Sequence, residues 1–245
     1  MGLFDLFSKS PSGKINRLAK RMLNEHQQQQ IRQEALEELI TIDTPEAISA
    51  LISRLGVNFR DTIKNEQEKR WVSEQLVERY GQRAIEPLVA FIRADQTISA
   101  AIRVLARLVG PEQLVGILLD ALNQYLPEDH RTIDARMQLI DALADLEDER
   151  VVPIVQRYGL DHDDDIRIKV MGLLEHRVQP GHAEYTAVSE KLVSVLTDPE
   201  ASGRITRRAA QALNALQVDL SAQAELIQTF VPDGFRFDGS KLIPT

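Results

Sequence analysis

The densest run of groups able to do chemistry is Asp161-His162-Asp163-Asp164-Asp165. Asp161, Asp163 and Asp165 have the first, third and fifth spacing of a calcium loop. The other parts of such a loop are missing, because Ile166 stands where the turn glycine belongs and Gly172 where a bidentate glutamate belongs. The same carboxylates suit a helix N-terminus, where they accept backbone N–H bonds and face the positive end of the helix dipole. That reading is adopted, and no metal is assigned. Five histidines are scattered at His26, His130, His162, His176 and His182, and none forms the two-histidine helical pair that ligates zinc. His176 and His182 flank a connection at 178–181 and read as solvated or capping residues. Ser12-Gly13-Lys14 lacks the glycine-spaced loop of a phosphate cradle and has Ile15 where a hydroxyl is needed. The chain has no cysteine, which excludes disulfides, thiolate metal sites and thiol nucleophiles. Carboxylates are so plentiful on helix faces that pairing two as acid and base would be arbitrary. No catalytic residue and no cofactor is assigned.

Charge bears on partners. Lys and Arg number 29 against 37 Asp and Glu, a net −8. Such a chain repels phosphate backbones on average, so nucleic acid is not the expected partner. The best local exception is Arg204, Arg207 and Arg208, with Lys191 earlier; a solvated helix face is the commoner reason for such a cluster. Near the start, Leu3, Phe4, Leu6 and Phe7 form an apolar segment. Membrane contact through these four residues is weighed, but docking within the chain or disorder is preferred. Leu6 also fails the N-myristoylation pattern. No apolar run nears the ~20 residues that span a bilayer, and Met1–Phe7 is too short for a signal peptide and lacks a basic start. A cytoplasmic location is expected.

The elements that carry these groups are helical. Ala35, Leu36, Leu39 and Ile42 lie on one helix face, and the pattern returns at Leu139, Ile140, Leu143, Leu146 and at Ala209, Ala210, Leu213, Leu216. Each such helix is followed closely by another. Thr44-Pro45 starts one partner with a cap and a first-turn proline, and Gly56, Gly81, Gly110 and Gly159 sit at helix ends or connections. Six pairs are read. First helices lie near 28–42, 66–80, 97–109, 133–146, 164–177 and 202–216, with partners near 45–55, 82–94, 111–125, 149–158, 183–197 and 221–230. Aligning the first helices puts Arg32, Arg70, Ala101, Arg136, Arg167 and Thr206 in one column, a period of about 30–40 residues with two helices per unit. Aromatics are sparse at 5%, which suits a core of Leu, Ile, Val and Ala. A capping helix is expected over 14–24. Phe235 to Ile243 alternates around Asp238-Gly239, a hairpin signal.

On these residues the chain resembles a known family. Asp163-Asp164-Asp165-Ile166-Arg167 with the apolar face that follows is similar to the acidic turn and Ile-Arg of HEAT repeats, of the type also found in phycobilin-lyase-like bacterial proteins. Ala84-Ile85-Glu86-Pro87-Leu88-Val89 and Val151-Val152-Pro153-Ile154-Val155 resemble the second HEAT helix. The resemblance covers roughly residues 28–230, and Ala101 and Thr206 depart from its arginine column. It implies an all-α fold: a right-handed α-solenoid of about six HEAT-like helix pairs with a small C-terminal β-hairpin. The expected division is 1–13, a flexible apolar segment and linker; 14–230, the repeat array; and 231–245, a capping hairpin. The resemblance implies binding rather than any single activity. The expected function is a non-catalytic protein-binding scaffold or adaptor in a bacterial cytoplasm. The competing class is a HEAT-like enzyme, either a DNA glycosylase or a chromophore-lyase subunit.

Aligning the second helices suggests where a protein partner would sit. Leu51, Leu88 and Ile154 form one buried column, and Ile52, Val89 and Val155 another. Two positions later come Arg54, Phe91 and Arg157, with Asp120 at the matching place in the third pair. These four are expected to form an exposed strip on the inner surface, since Arg and aromatic residues are enriched at binding hot spots.

Overall fold

The computed structural model describes residues 11–245. The segment carrying Leu3, Phe4, Leu6 and Phe7 therefore lies outside the described residues. The chain divides into two compact units, Met1–Ile117 and Leu118–Thr245.

The first unit opens with α1 (Pro11–Met22), which begins three residues ahead of the expected start and buries Ile15, Leu18 and Met22. It packs on α2 (Gln29–Ile42) and α3 (Pro45–Ser53). Asp43 ends α2 in the left-handed region at φ 54°. Thr44 then caps α3 by accepting from the Ala47 N–H at 3.3 Å, with Pro45 in the first turn as its missing N–H allows. A 3-10 turn (Arg54–Gly56) follows, and α4 (Thr62–Gln75) starts at the cap Asp61. A π turn (Leu76–Tyr80) and a 3-10 turn (Gly81–Ala84) lead into α5 (Ile85–Ala94), which packs on α3. Then come α6 (Ser99–Ala106) and α7 (Pro111–Asn123), whose residues run across the unit boundary.

In the second unit α8 (Ile133–Ala144), α10 (Asp164–Arg177) and α12 (Gly203–Ala215) lie side by side. Between them run α9 (Val151–Val155), prolonged by a 3-10 turn (Gln156–Leu160), and α11 (Tyr185–Leu196). After α13 (Ala224–Thr229), β1 (Phe235–Phe237) and β2 (Leu242–Pro244) pair antiparallel, with Phe237 opposite Leu242. The Asp238 carboxylate accepts the Ser240 and Lys241 N–H groups and fixes the turn. Leu242 is buried against α12, while Phe235 and Phe237 are half-buried.

Among the described residues, first helices α2, α4, α6, α8, α10 and α12 thus alternate with second helices α3, α5, α7, α9, α11 and α13, as the periodicity indicates. No helix among the described residues is long and apolar enough to cross a membrane. The second pair departs from expectation, since its first helix begins at Thr62 rather than 66. The arginine column is also not uniform: Arg32 and Arg136 are buried, whereas Arg70 is exposed and its neighbour Lys69 is 7% exposed. In the buried columns Leu51, Leu88, Ile52 and Val155 hold their places, whereas Val89 and Ile154 are half-exposed.

Candidate functional site

The four residues of the expected strip do not share one environment. Arg54 is 0% exposed. Its Nε donates to Glu68 at 3.1 Å and its Nη2 to Asn65 at 3.0 Å. This corrects the expectation of an exposed arginine there. The chain leaves α-helical winding at Arg54 for a tighter turn, which swings the side chain inward instead of to the surface. Phe91 is half-buried and packs against Gly56, where an added Cβ would come within 2.8 Å of the ring. Arg157 is half-buried and donates to the Leu122 and Tyr125 carbonyls at 3.2 and 3.3 Å, which ties down the end of α7. Asp120 is exposed. The strip does not persist as a set of free side chains.

The acidic run is consumed locally. Asp163 caps α10 by accepting the Asp165 and Ile166 N–H groups at 3.0 and 3.1 Å. Asp161 is buried and takes a two-pronged bond from Arg136 at 2.9 and 3.0 Å. Among the described residues no group of three or more potential ligands is placed to hold a metal ion. His182 accepts the Glu184 N–H at 3.0 Å in a capping role, and His130 packs edge-on against His162 at 3.7 Å.

Two first-helix grooves remain, one in each unit, and they treat their cations differently. In the second unit a groove of about 660 Å³ between α10 and α12 is lined in part by Arg204, Arg207 and Arg208. The chain itself neutralises two of the three: Arg204 meets Asp165 at 2.9 Å and Asp164 at 3.8 Å, and Arg208 meets Glu175 at 2.5 Å. This is the basic cluster visible in the sequence, and its charge is largely spent within the unit.

The groove of the first unit, about 390 Å³ between α4 and α6, is lined by Glu66, Lys69, Arg70, Ser73, Ala100, Arg103, Val104 and Arg107. Arg70, Arg103 and Arg107 are exposed, and among the described residues none of them makes an ion pair. Lys69 is buried, and its ammonium donates to the Asn58 side-chain oxygen at 2.6 Å. Burial holds the Lys69 amine below the ordinary lysine value, and the nearby Arg54 and Arg103 charges add to the effect against Glu66. Behind the groove lies a buried network. Glu68, at 2% exposure, accepts from Arg32 Nε at 3.0 Å and Nη2 at 2.6 Å as well as from Arg54, and both guanidiniums lie over the Phe59 ring. Two arginines against one glutamate leave this network a net positive charge.

The charge of the whole chain hides this. The first unit carries 16 Lys and Arg against 15 Asp and Glu, a net +1, and the second 13 against 22, a net −9. The groove was missed in the sequence because its cations come from segments more than 30 residues apart. The available signal was Arg103 and Arg107 at i, i+4, one helical face with no acid between them.

No protein-family model matches the chain, and no curated protein matches it. A solved structure, human deoxyhypusine hydroxylase in complex with glycerol, is similar over 90% of both chains at 16% identity and a TM-score of 0.35. A superposition that loose transfers neither fold nor activity. The chain's own alternating helix pairs, with the Asp-Ile-Arg turn at the start of α10, fit a HEAT-like repeat protein.

Proposed function

We propose that the protein is a non-catalytic scaffold or adaptor of the HEAT-like type, its helix pairs stacked as a right-handed solenoid, that grips a protein partner in the α4–α6 groove. The observation that carries this reading is the unmatched charge of that groove. Where first helices meet in the second unit, acids on the neighbouring helix neutralise two of three arginines. In the first unit's groove, Arg70, Arg103 and Arg107 line one cavity with Lys69, and Glu66 is the single acid in the lining. Like charges held together repel, and a ligand that brings the opposite sign removes that cost. Exposed arginines on a fixed helical scaffold are also the side chains best suited to a partner's carboxylates, through two-pronged hydrogen bonds.

The test is a photo-cross-linking amino acid placed at Ser73 in the groove, with the same group at Glu46 on α3 as a control, in the cells that make the protein. A discrete protein adduct is expected from Ser73 and not from Glu46, and R103E/R107E should abolish it. A well-expressed, folded Ser73 variant that captures no protein would sink the reading.

A further inference from the structure

We infer that the α4–α6 groove takes an extended, carboxylate-rich polypeptide segment with acidic side chains at alternate positions. This inference rests on the protein-binding reading above and names the chemistry of the partner.

The spacing of the cations argues for it. Both walls repeat i, i+3, i+4, i+7: Glu66, Lys69, Arg70 and Ser73 on α4, and Ala100, Arg103, Val104 and Arg107 on α6 and its C-cap. Seven residues of helix rise about 10 Å, and the four from Arg103 to Arg107 about 6 Å. Alternate residues of an extended chain stand about 6.6 Å apart and point the same way. Two carboxylates at i and i+2 therefore match the arginines of α6 within the reach of their side chains. The residues between the cations are small or apolar, since Ala100, Val104 and Ser73 leave room for a backbone to lie between the helices. Lys69 differs from the arginines. It is buried and already held by Asn58, so it presents one fixed charge low in the groove, while the arginines form an exposed rim.

A nucleic-acid strand has a similar phosphate spacing but needs more. Single strands are held by aromatic side chains that stack on bases, and no aromatic residue lines this groove. The sole tryptophan, Trp71, adjoins Arg70 in sequence yet is not part of the lining. Glu66 also places a negative charge where a continuous phosphate backbone would pass. A polypeptide can set an uncharged residue against Glu66; a phosphodiester chain cannot.

The probe is a fluorescein-labelled alternating Glu-Ser peptide, with a Gln-Ser peptide and an oligothymidine of equal length as comparators. Binding to the full chain is followed by fluorescence anisotropy. The Glu-Ser peptide should bind, the other two should bind at least about tenfold more weakly, and added salt should weaken the Glu-Ser complex. R103E/R107E should reduce its affinity by about tenfold or more, whereas R207E in the second unit should leave it unchanged. Equal binding of the oligothymidine, or unchanged binding by R103E/R107E, overturns the inference. If the Ser73 cross-linker still captures a protein that the Glu-Ser peptide does not displace, the partner's chemistry is wrong and the scaffold reading stands. If neither capture nor peptide binding occurs, both fall.

Discussion

Replacing Glu68 by glutamine removes the one negative charge that two buried guanidiniums share. Glu68 is 2% exposed, Arg32 4% and Arg54 0%, so water cannot take over. Other acceptors remain, namely the Gln27 carbonyl for Arg32 and, for Arg54, the Val57 carbonyl at 2.8 Å and the Asn65 side-chain oxygen at 3.0 Å, but they carry no full charge. Breaking a buried pair by neutralising one partner costs about 3–5 kcal/mol. Here the local charge goes from one positive to two, so the upper end is expected. For a unit of this size that is a fall in Tm of roughly 10–20 °C. Trp71 lies in α4, three residues from Glu68, and is the only tryptophan. Its fluorescence during urea or thermal unfolding therefore reports on the first unit even where the two units melt separately. Glu66→Gln, on the same helix but exposed, should change stability by less than about 0.5 kcal/mol. Arg32→Met, Arg54→Met and Glu68→Leu combined should recover much of the loss, because an apolar replacement has no charge to desolvate. A Glu68→Gln protein within about 1 kcal/mol of the parent would refute the idea that this network is dry and charge-balanced by Glu68.

Lys69 has its pKa lowered in the free protein, and a bound carboxylate would raise it again, so binding takes up a proton between the two values. Affinity for an acidic peptide should thus fall as pH rises from neutral towards the ordinary lysine value of 10.5, and isothermal titration in two buffers of different ionisation enthalpy measures the uptake. The sign for folding is opposite, since the unfolded chain holds that proton more tightly and Lys69 contributes stability that grows as pH rises through its lowered value. Deleting residues 233–245 removes Leu242, which is 1% exposed, and the bond from the Leu220 N–H to the Ser240 carbonyl at 2.7 Å. A loss of about 1.5–3 kcal/mol from Leu242 alone is expected in the second unit, and an unchanged melt by circular dichroism would mean the hairpin adds nothing.

The sequence by itself determined the helix pairs, their order and the terminal hairpin, because these depend on local chemistry. Apolar residues at helical spacing, Thr44-Pro45 before α3, Asp163 before α10 and the Asp238-Gly239 turn each act within a few residues of themselves. The arginine column put Arg32 and Arg136 at equivalent places on their helices, and the structure buries both. Tertiary structure alone decided the rest. Arg54 was read as outward because an unbroken helix would carry it there, but a change to tighter winding after Ser53 turned it onto Glu68. Lys69 and Arg70 differ by one position, about 100° around the helix, and periodicity in a helix with so few apolar residues cannot fix which of them is buried. Above all, the free charge of the α4–α6 groove is a difference between residues far apart in the chain. Arg204 and Arg208 form a local run of arginines, yet Asp165 and Glu175 on the preceding first helix neutralise them. Arg103 and Arg107 look unremarkable in sequence, and only the fold brings them into one groove with Lys69 and Arg70, where Glu66 is the single acid in the lining.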